Sequence, residues 1–585
     1  MKSSKRATAF HSAARPAKTA APPRAPWWPY AAAFAVALVL AFWAYSPALH
    51  GPFLFDDNFL PFAIGNVASA PLWAWIHGIR PLLMATYWMN ARLSGDDPWS
   101  YHVVNIVIHL IATGLIFLIV RRLLAWARVP PGRLNLLAGF GAALFLLHPV
   151  QSEAVAYLAG RSEALSVALV LAAFTVFLYR SSSAISWGAA IAVLALYGAA
   201  ILAKEHTVVL AALLVLTDYW WNPGFSFQGI RRNWKLYAPV AALAVGGFAL
   251  AWPLIFGATT AGFALKEFTW YQYFFTECRA LFVYIGEFLF PINLTADWDF
   301  PISRTLLDHG AIAGLVILVA LAAVAWIYRR RFPLATYGFF VYLVLMSPTS
   351  SILPIEDPVA ERRLYFGFLG LLLILLDVLS RLTIPVRSLA TAMIVVLLAA
   401  TGATYARAGV WGDAVALWQD NVRKSPGKAR DHFNLAFAYY AQGHPELALP
   451  EFEKTARLQP PNQSLLVDWG LAYDGLNRPQ DALAKFQQAA LLPPVPGVSP
   501  ANVYIQIAKI RAQQSQWPEA LDALAAAEKA DPGYPEIYAY RGKIYFKNGQ
   551  YRAAIEQYQH ALLLDPTLED ARHDLALAGR GLAGR

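Results

Sequence analysis

The chain has 585 residues, of which 58% are hydrophobic and 14% are charged, whereas about a quarter of residues are charged in an average soluble domain. This composition excludes a single soluble globule and a disordered chain, and it favours a membrane protein with a soluble part. The only cysteine, Cys278, excludes an intramolecular disulfide and a metal site built from cysteines.

The net charge of +10 is unevenly distributed along the chain. Residues 410–585 contain 18 basic and 19 acidic side chains, which leaves 29 basic and 18 acidic side chains upstream. Residues 1–26 contain six basic residues and no acidic one, and we predict a disordered cytoplasmic tail there. A basic excess beside apolar segments indicates membrane topology rather than nucleic-acid binding, because Lys and Arg stay on the cytoplasmic side.

Eleven apolar segments predict membrane-spanning helices, each long enough or nearly long enough to cross about 30 Å of hydrocarbon. They lie at residues 27–49, 101–120, 134–149, 163–179, 184–203, 206–221, 236–257, 311–328, 334–353, 363–379 and 388–406. With the N-terminus inside, this count places every strongly basic loop in the cytoplasm. We therefore predict a membrane domain over residues 27–409, inserted in a bacterial inner membrane.

The segment 268–291 is apolar but contains Glu277, Arg279 and Glu287. If it crossed the membrane, the arginine cluster at 329–331 would face outside. We therefore predict a re-entrant or interfacial helix on the external side.

A 34-residue repeat begins after Tyr405 and is typical of tetratricopeptide repeats. The motif has a small residue at position 8, an aromatic at 11, Ala at 20, an aromatic at 24 and Pro at 32. One partial unit and four repeats match this motif, and the third repeat departs from it at Arg511 and Leu524. The matching residues, unit by unit, are Ala414, Trp418 and Pro426; Ala436, Tyr439, Ala448, Phe452 and Pro460; Gly470, Tyr473, Ala482, Phe486 and Pro494; Ala508, Ala520 and Pro532; and Gly542, Tyr545, Ala554, Tyr558 and Pro566. The fold class predicted is all-α, with a polytopic membrane domain and an external solenoid over residues 410–585.

The polar motifs gather on the predicted external side. The first external loop has two adjacent carboxylates, Asp56 and Asp57, which either serve as functional groups or belong to a solvated loop or a helix cap. If they are functional, we expect one to face the cavity and its neighbour to cap the following turn. The other ionisable candidates are Arg80, His148, Glu153, Arg161, Glu163, Lys204, Glu205, Glu361, Arg362 and Arg363. Simple pairing among neighbours is the alternative explanation for most of them. Arginines on the external side oppose the usual topology bias and suit a phosphate group.

These motifs occur in an order that resembles the transmembrane-and-tetratricopeptide-repeat O-mannosyltransferases, glycosyltransferases of the GT-C fold. The residues that carry the resemblance are Phe55, Asp56 and Asp57; Arg80, Pro81 and Leu82; His102, Asn105 and His109; His148, Pro149 and Glu153; Gly160 and Arg161; Lys204 and Glu205; and Glu361, Arg362, Arg363, Leu364 and Tyr365. Residues 258–310 match more loosely, chiefly at Asn293, Asp297 and Trp298.

The resemblance implies a polyprenyl-phosphate sugar donor, undecaprenyl-type in a bacterium, and a protein or glycan acceptor outside the cytoplasm. Asp56 or Asp57 is then the expected base, and the reaction inverts the anomeric carbon. Arg80, Arg161, Lys204, Arg362 and Arg363 would meet the phosphate, while His148, Glu153, Glu163, Glu205 and Glu361 would line the cavity. A divalent metal on Asp56, Asp57 and His148 remains open, and the repeats would bind a protein partner. No nucleic-acid partner is expected.

Two other functions stay open. The chain could be a non-catalytic membrane scaffold whose repeats recruit cell-envelope proteins, or a transporter of lipid-linked glycans. A transporter is expected to place its charged residues near the membrane midplane, whereas here they lie at one membrane face.

Overall fold

The computed structural model describes residues 28–257, 262–495 and 498–583, and over these ranges it contains helices and no β-strand. This confirms the predicted all-α class. The predicted N-terminal tail, residues 1–26, lies outside the described residues.

Seventeen α-helices form the part of the chain predicted to lie in the membrane. They are α1 (Trp28–Tyr45), α2 (Gly65–Ala68), α3 (Leu72–Ile76), α4 (Pro81–Ser94), α5 (Trp99–Trp126), α6 (Pro131–Leu147), α7 (Ser152–Ala156), α8 (Arg161–Leu178), α9 (Trp187–Ala203), α10 (Leu210–Trp221), α11 (Gln228–Arg232), α12 (Trp234–Gly257), α13 (Trp270–Leu289), α14 (Ala311–Tyr328), α15 (Pro333–Met346), α16 (Leu364–Arg381) and α17 (Val386–Trp411). An α-helix overlaps each of the eleven predicted spans, although α15 ends at Met346, before the end of the span predicted at 334–353.

Six of the helical segments are long and apolar enough to cross a membrane, so the chain is a multi-pass membrane protein. A seventh span results if the helices 131–147 and 149–156, bent by 48° at His148, count as one. The helices α9 and α15 are apolar but shorter. The predicted number of eleven spans therefore stays a prediction.

Helices α8 and α16 form the centre of the membrane domain, since their apolar windows are 72% buried, whereas that of α14 is 17% buried. Glycines allow close packing around this centre. A Cβ atom on Gly370 of α16 would lie 2.4 Å from the backbone nitrogen of Tyr342 in α15. Small residues at such crossings let helix backbones approach each other in a membrane.

The segment predicted to be re-entrant or interfacial is one continuous helix, α13, of 20 residues. Its Glu277 and Glu287 side chains are buried within the protein. A Cβ atom on Gly314 of α14 would lie 2.4 Å from the carbonyl oxygen of Cys278, so α13 and α14 pack closely. The position of α13 relative to the membrane stays a prediction.

The solenoid consists of α18 (Ala414–Lys424), α19 (Ala429–Ala441), α20 (Pro445–Leu458), α21 (Gln463–Gly475), α22 (Pro479–Ala490), α23 (Ala501–Gln513), α24 (Trp517–Ala530), α25 (Pro535–Lys547), α26 (Tyr551–Leu564) and α27 (Glu569–Ala583). The repeat spacing explains the packing. A Cβ atom on Gly470 would lie 2.4 Å from the Phe486 ring, and one on Gly542 would lie 2.7 Å from Tyr558. The aromatic ring at position 24 therefore packs directly against the small residue at position 8. This packing confirms the predicted repeats.

Candidate functional site

The loop after α1 places its two carboxylates in different environments. Asp57 is buried, and its carboxylate accepts hydrogen bonds from the backbone N–H groups of Leu54 at 2.9 Å and Ala159 at 2.8 Å. Burial raises the pKa of Asp57 to about 8, although these two hydrogen bonds act in the opposite direction. Asp57 thus attaches the loop after α1 to the segment before α8.

Asp56, by contrast, is exposed to solvent. Its backbone N–H donates to the hydroxyl of Tyr157 at 3.0 Å, and the Tyr157 ring stacks on Trp411 at 5.4 Å. The sequence predicts that one of the two carboxylates faces a cavity while the other caps a turn. The structure assigns the capping position to Asp57 and leaves the Asp56 carboxylate accessible, while the catalytic role of either residue stays a prediction.

Glu153 and Arg362 form an ion pair across 209 residues of sequence. The buried Glu153 carboxylate accepts from the backbone N–H of Arg362 at 2.7 Å and also from its guanidinium. The Arg362 side chain remains 30% exposed, and its charge acts on the Tyr157 hydroxyl, as does that of Asp56. Glu153 therefore orients an accessible arginine toward the region of Asp56 and Tyr157.

Two further cations, Lys204 and Arg80, are each paired with a carboxylate. The Lys204 ammonium is 2.6 Å from the Glu163 carboxylate, and His206 Nε2 is 3.1 Å from it. The Arg80 guanidinium binds Glu205 through both of its oxygens, with Nη2 at 2.9 Å from Oε2. Burial lowers the pKa of Lys204, Glu163 raises it, and the charges of Arg80 and Arg362 lower it further, so both arginines act electrostatically on Lys204.

Arg161 and Arg363 are buried, and the protein itself occupies their hydrogen-bonding groups. The Arg161 guanidinium donates to Asn105 and Asn90 at 2.7 Å each and to the Tyr101 carbonyl at 2.9 Å. Arg363 donates to the carbonyls of Pro358 and Asp357 at 2.5 Å each. Both arginines hold neighbouring segments together, and their predicted contact with a phosphate stays a prediction.

His148 lies at the bend between α6 and α7, where its Nε2 is 3.1 Å from the Phe288 carbonyl and its Nδ1 accepts from the Val150 N–H. Within the described part of the chain, no group of three or more His, Cys, Asp or Glu side chains is arranged to hold a metal ion. A metal on Asp56, Asp57 and His148 thus has no preformed ligand set among the described residues.

The first helix of the solenoid borders this site. The ring of Phe55, the residue before Asp56, lies 4.4 Å from the ring of Trp418 in α18. Glu361, the residue before Arg362, is buried 3.7 Å from Arg407 of α17, and Arg407 binds Asp420 of α18 at 2.7 Å. No site role was predicted for Tyr157 or Arg407, and Trp418 was predicted only as a repeat residue. An arginine directly after an apolar span, such as Arg407, is a usable signal.

A second polar contact joins the first repeat to the loops that follow α13 and α15. Asp297 and Asp357 both bind Lys428 and Arg430, with Arg430 at 2.6 Å from Asp297 and 2.9 Å from Asp357. Burial alone would raise the pKa of Asp357, but the charges of Arg430 and Lys428 outweigh it and hold this pKa at about 2. The neighbouring Asp431 is buried beside Asp297, and burial together with that like charge raises the pKa of Asp431 to about 9.

Comparison with known proteins gives consistent results. A family model described as a TPR repeat matches residues 542–578. Among solved structures, the TPR protein YrrB, titled as having an unusual peptide-binding site, is 23% identical with a TM-score of 0.23, covering 27% of this chain and 80% of YrrB. The type IV pilus biogenesis factor PilW is 20% identical with a TM-score of 0.27, covering 29% of this chain and 76% of PilW.

The chain is similar over most of its length to curated proteins named O-mannosyl-transferases. Protein O-mannosyl-transferase TMTC3 of Mus musculus is 26% identical over 548 residues, which cover 85% of this chain and 58% of the mouse protein. Protein O-mannosyl-transferase Tmtc1 of Drosophila melanogaster is 29% identical over 328 residues, covering 49% of this chain and 37% of the fly protein. The matched part thus spans little more than half the length of the mouse relative. These matches confirm the resemblance seen in the sequence motifs: the chain is a relative of the transmembrane-and-tetratricopeptide-repeat proteins named O-mannosyl-transferases.

Proposed function

We propose that the chain is a membrane glycosyltransferase that transfers a sugar from a polyprenyl-phosphate donor to a hydroxyl group of an extracytoplasmic protein or glycan. The observation that carries this proposal is the exposed Asp56 carboxylate in a loop whose backbone binds the Tyr157 hydroxyl, together with the ion pair between Glu153 and the accessible Arg362. The curated relatives named O-mannosyl-transferases support the class of reaction and make mannose the first sugar to test.

In the proposed reaction, the Asp56 carboxylate accepts the proton of the acceptor hydroxyl as the oxygen attacks the anomeric carbon. The bond from that carbon to the donor phosphate breaks on the opposite face, so the configuration inverts. Asp56 suits this role because it is accessible, whereas Asp57 is occupied by two backbone N–H groups. A positioned general base contributes about 10²–10⁴-fold to turnover.

The polyprenyl phosphate leaves as an anion, so cations must lie where its charge develops. Arg362, Lys204 and Arg80 are the proposed cations, since each keeps some exposure. Each is held by a carboxylate, Glu153, Glu163 and Glu205 respectively, which positions the cation before the donor arrives. Arg161 and Arg363 then do not contact the phosphate; they hold in place the helices and loops that carry these cations.

The proposed orientation places this site and the solenoid on the external side of a bacterial inner membrane. This orientation follows from the positive-inside rule, and in a bacterial membrane the expected donor is of the undecaprenyl type. The solenoid would bind the protein that carries the acceptor hydroxyl, since repeats of this type form binding surfaces. Protease added to spheroplasts is then expected to release a fragment of about 175 residues, a size set by the repeat boundary.

The test uses purified full-length protein with polyprenyl-phosphate sugars and a hydroxyl acceptor. Asp56→Asn is expected to lower turnover by about 10²–10⁴-fold without loss of folded protein. Asp96→Asn is the matched control, because Asp96 is an exposed carboxylate in the loop before α5, on the same predicted side. Asp57→Asn is expected to lower thermal stability instead, since an amide nitrogen replaces one of the two oxygens that accept from the backbone N–H groups of Leu54 and Ala159.

A second variant separates donor binding from catalysis. Arg362→Ala is expected to raise the KM for the donor by about tenfold, because a charge-assisted contact to phosphate is lost. Wild-type turnover of Asp56→Asn with a verified donor would exclude the base role. Movement of lipid across the membrane without a new glycosidic bond would favour the transporter alternative, and neither activity would favour the scaffold.

A further inference from the structure

A pocket of about 280 Å³ lies at the helix ends on the predicted cytoplasmic side, across the predicted membrane domain from the candidate site. It is lined by Arg122 near the end of α5, by Arg180 and the three serines that follow it after α8, and by Trp221 at the end of α10. None of its lining residues is acidic.

The acidic side chain bound to the lining residues Arg180 and Asn222 is Asp218, and its oxygens already accept hydrogen bonds. Asp218 is fully buried, and its carboxylate accepts from Arg180 at 2.6 Å, Asn222 at 3.2 Å, Asn233 at 2.5 Å and Tyr237 at 2.9 Å. Asp218 therefore fixes the position of Arg180 from behind and presents no free acceptor to the pocket.

Arg122 supplies a cation that has no carboxylate partner among the described residues. Its Nε donates to the Leu178 carbonyl at 3.2 Å, and its guanidinium lies over the rings of Trp126 at 5.4 Å and Tyr179 at 5.3 Å. These contacts orient the guanidinium without neutralising its charge. The pocket therefore carries a net positive charge.

The indole N–H of Trp221 is buried and has no hydrogen-bond acceptor within the described residues. A buried donor without a partner costs free energy, so such groups are rare unless a missing acceptor completes them. The two guanidinium groups, the hydroxyls of Ser181 and Ser183 and this N–H supply donors around the pocket, whereas the Ser182 hydroxyl donates to the Ala184 carbonyl. The side chains that line the pocket are thus complementary to an oxyanion.

We propose that this pocket binds a phosphate group, supplied either by the headgroup of an anionic phospholipid or by a soluble phosphate. Basic pockets between membrane helices on the cytoplasmic side are suited to anionic headgroups, and Trp126 and Trp221 lie where aromatic rings meet the membrane interface. The volume of about 280 Å³ exceeds that of a phosphate group and leaves room for part of a headgroup. The proposal does not depend on the transferase activity.

The test measures lipid binding to the purified full-length protein by native mass spectrometry, with titration of phosphatidylglycerol or phosphatidylcholine. Wild-type protein is expected to bind phosphatidylglycerol more tightly than phosphatidylcholine. Arg122→Gln is expected to weaken this binding about tenfold, because a charge-assisted contact is lost. Arg121→Gln is the matched control, since Arg121 carries the same charge one residue away but donates to Asn135 and does not line the pocket.

Trp221→Phe keeps an aromatic ring and removes only the N–H, so it tests the same site without loss of charge. We expect it to weaken phosphatidylglycerol binding severalfold with an unchanged unfolding temperature. Inorganic phosphate that binds wild-type protein, without any preference between the two lipids, would assign the pocket to a soluble phosphate. Equal affinity for both lipids without phosphate binding, or equal effects of Arg121→Gln and Arg122→Gln, would overturn the proposal.

Discussion

The two ends of the solenoid are held in different ways. The first helix pair after the membrane domain contacts that domain through charged side chains, with Asp297 and Asp357 bound to Lys428 and Arg430. The last repeats contact their neighbours through apolar residues, as where the Tyr558 ring fits against Gly542. The repeat pattern in the sequence is the same at both ends. A repeat can therefore have the sequence of a solenoid unit and still form part of the structure of the membrane domain, because its charged side chains bind that domain.

The largest expected effect comes from cutting the solenoid at two different points. Deletion of residues 430–585 removes Arg430 and leaves the buried Asp297 short of a partner, which costs about 3–5 kcal/mol for a broken buried ion pair. We expect little folded protein from this variant. Deletion of residues 463–585 keeps α18, α19 and α20, and we expect it to retain donor hydrolysis while transfer to a large protein acceptor falls.

Yield of monodisperse protein in detergent, followed by donor hydrolysis, is the measurement. Equal yield and equal hydrolysis from both deletions would mean that the first repeat does not stabilise the membrane domain. Loss of both properties in the shorter deletion as well would instead extend the structural role to the later repeats.

A matched pair of aromatic residues sharpens the comparison. Trp418 and Tyr558 occupy the same position of their repeat units, but Trp418 contacts Phe55 at 4.4 Å beside the candidate base, whereas Tyr558 contacts only the solenoid. Trp418→Ala is expected to lower donor hydrolysis about tenfold, since misplacing a reacting group by about 1 Å has larger effects still.

Tyr558→Ala is the control for that change. It removes a buried ring and should destabilise the last repeats by about 3–5 kcal/mol, with donor hydrolysis unchanged. Steady-state hydrolysis and protease resistance of the C-terminal repeats are the two measurements. The same loss of hydrolysis in both variants would show that the whole solenoid, rather than its first helix, influences the site.

The smallest expected effect concerns the charge balance at the junction. Three carboxylates, Asp297, Asp357 and Asp431, face two cations, and the pKa of Asp431 is raised to about 9 by burial and then by Asp297. When the pKa of a carboxyl group is higher in the folded state than in the unfolded state, the free energy of unfolding falls as the pH rises. For Asp431 this fall extends from about pH 4, its unfolded pKa, to about pH 9. Asp431→Asn mimics the protonated group, so its unfolding temperature should exceed wild type by about 2–4 °C near pH 9.

This difference should shrink toward pH 4, where the carboxyl is protonated in the folded state and about half protonated in the unfolded one. Thermal unfolding of the full chain at several pH values measures it. A constant difference across that range would attribute the effect to packing, and a lower unfolding temperature near pH 9 would show that Asp431 is ionised and paired.

The sequence alone predicted the helical class and the repeats, because both depend on local spacing. Gly470 and Phe486 are 16 residues apart, and their contact follows from the repeat length. The candidate site was predictable only as a set of residue types. The hydrogen bonds that decide the roles of Asp57 and Arg362 join residues 102 and 209 positions apart, and no local pattern specifies such partners. Arg161 illustrates the limit, since its charge predicted a phosphate ligand while its contacts occupy it within the protein.

The short connection between α17 and α18 has a kinetic consequence. Only Gly412 and Asp413 separate the two helices, Asp413 caps α18 through the Ala416 N–H at 2.8 Å, and Arg407 joins both helices to Glu361. A protein bound to the solenoid would therefore remain tethered beside the membrane domain without a long flexible linker. Tethering of this kind raises the effective concentration of each hydroxyl on the bound protein to about the millimolar range. Under the proposed function, one binding event would allow several hydroxyls of the same protein to be modified before it dissociates.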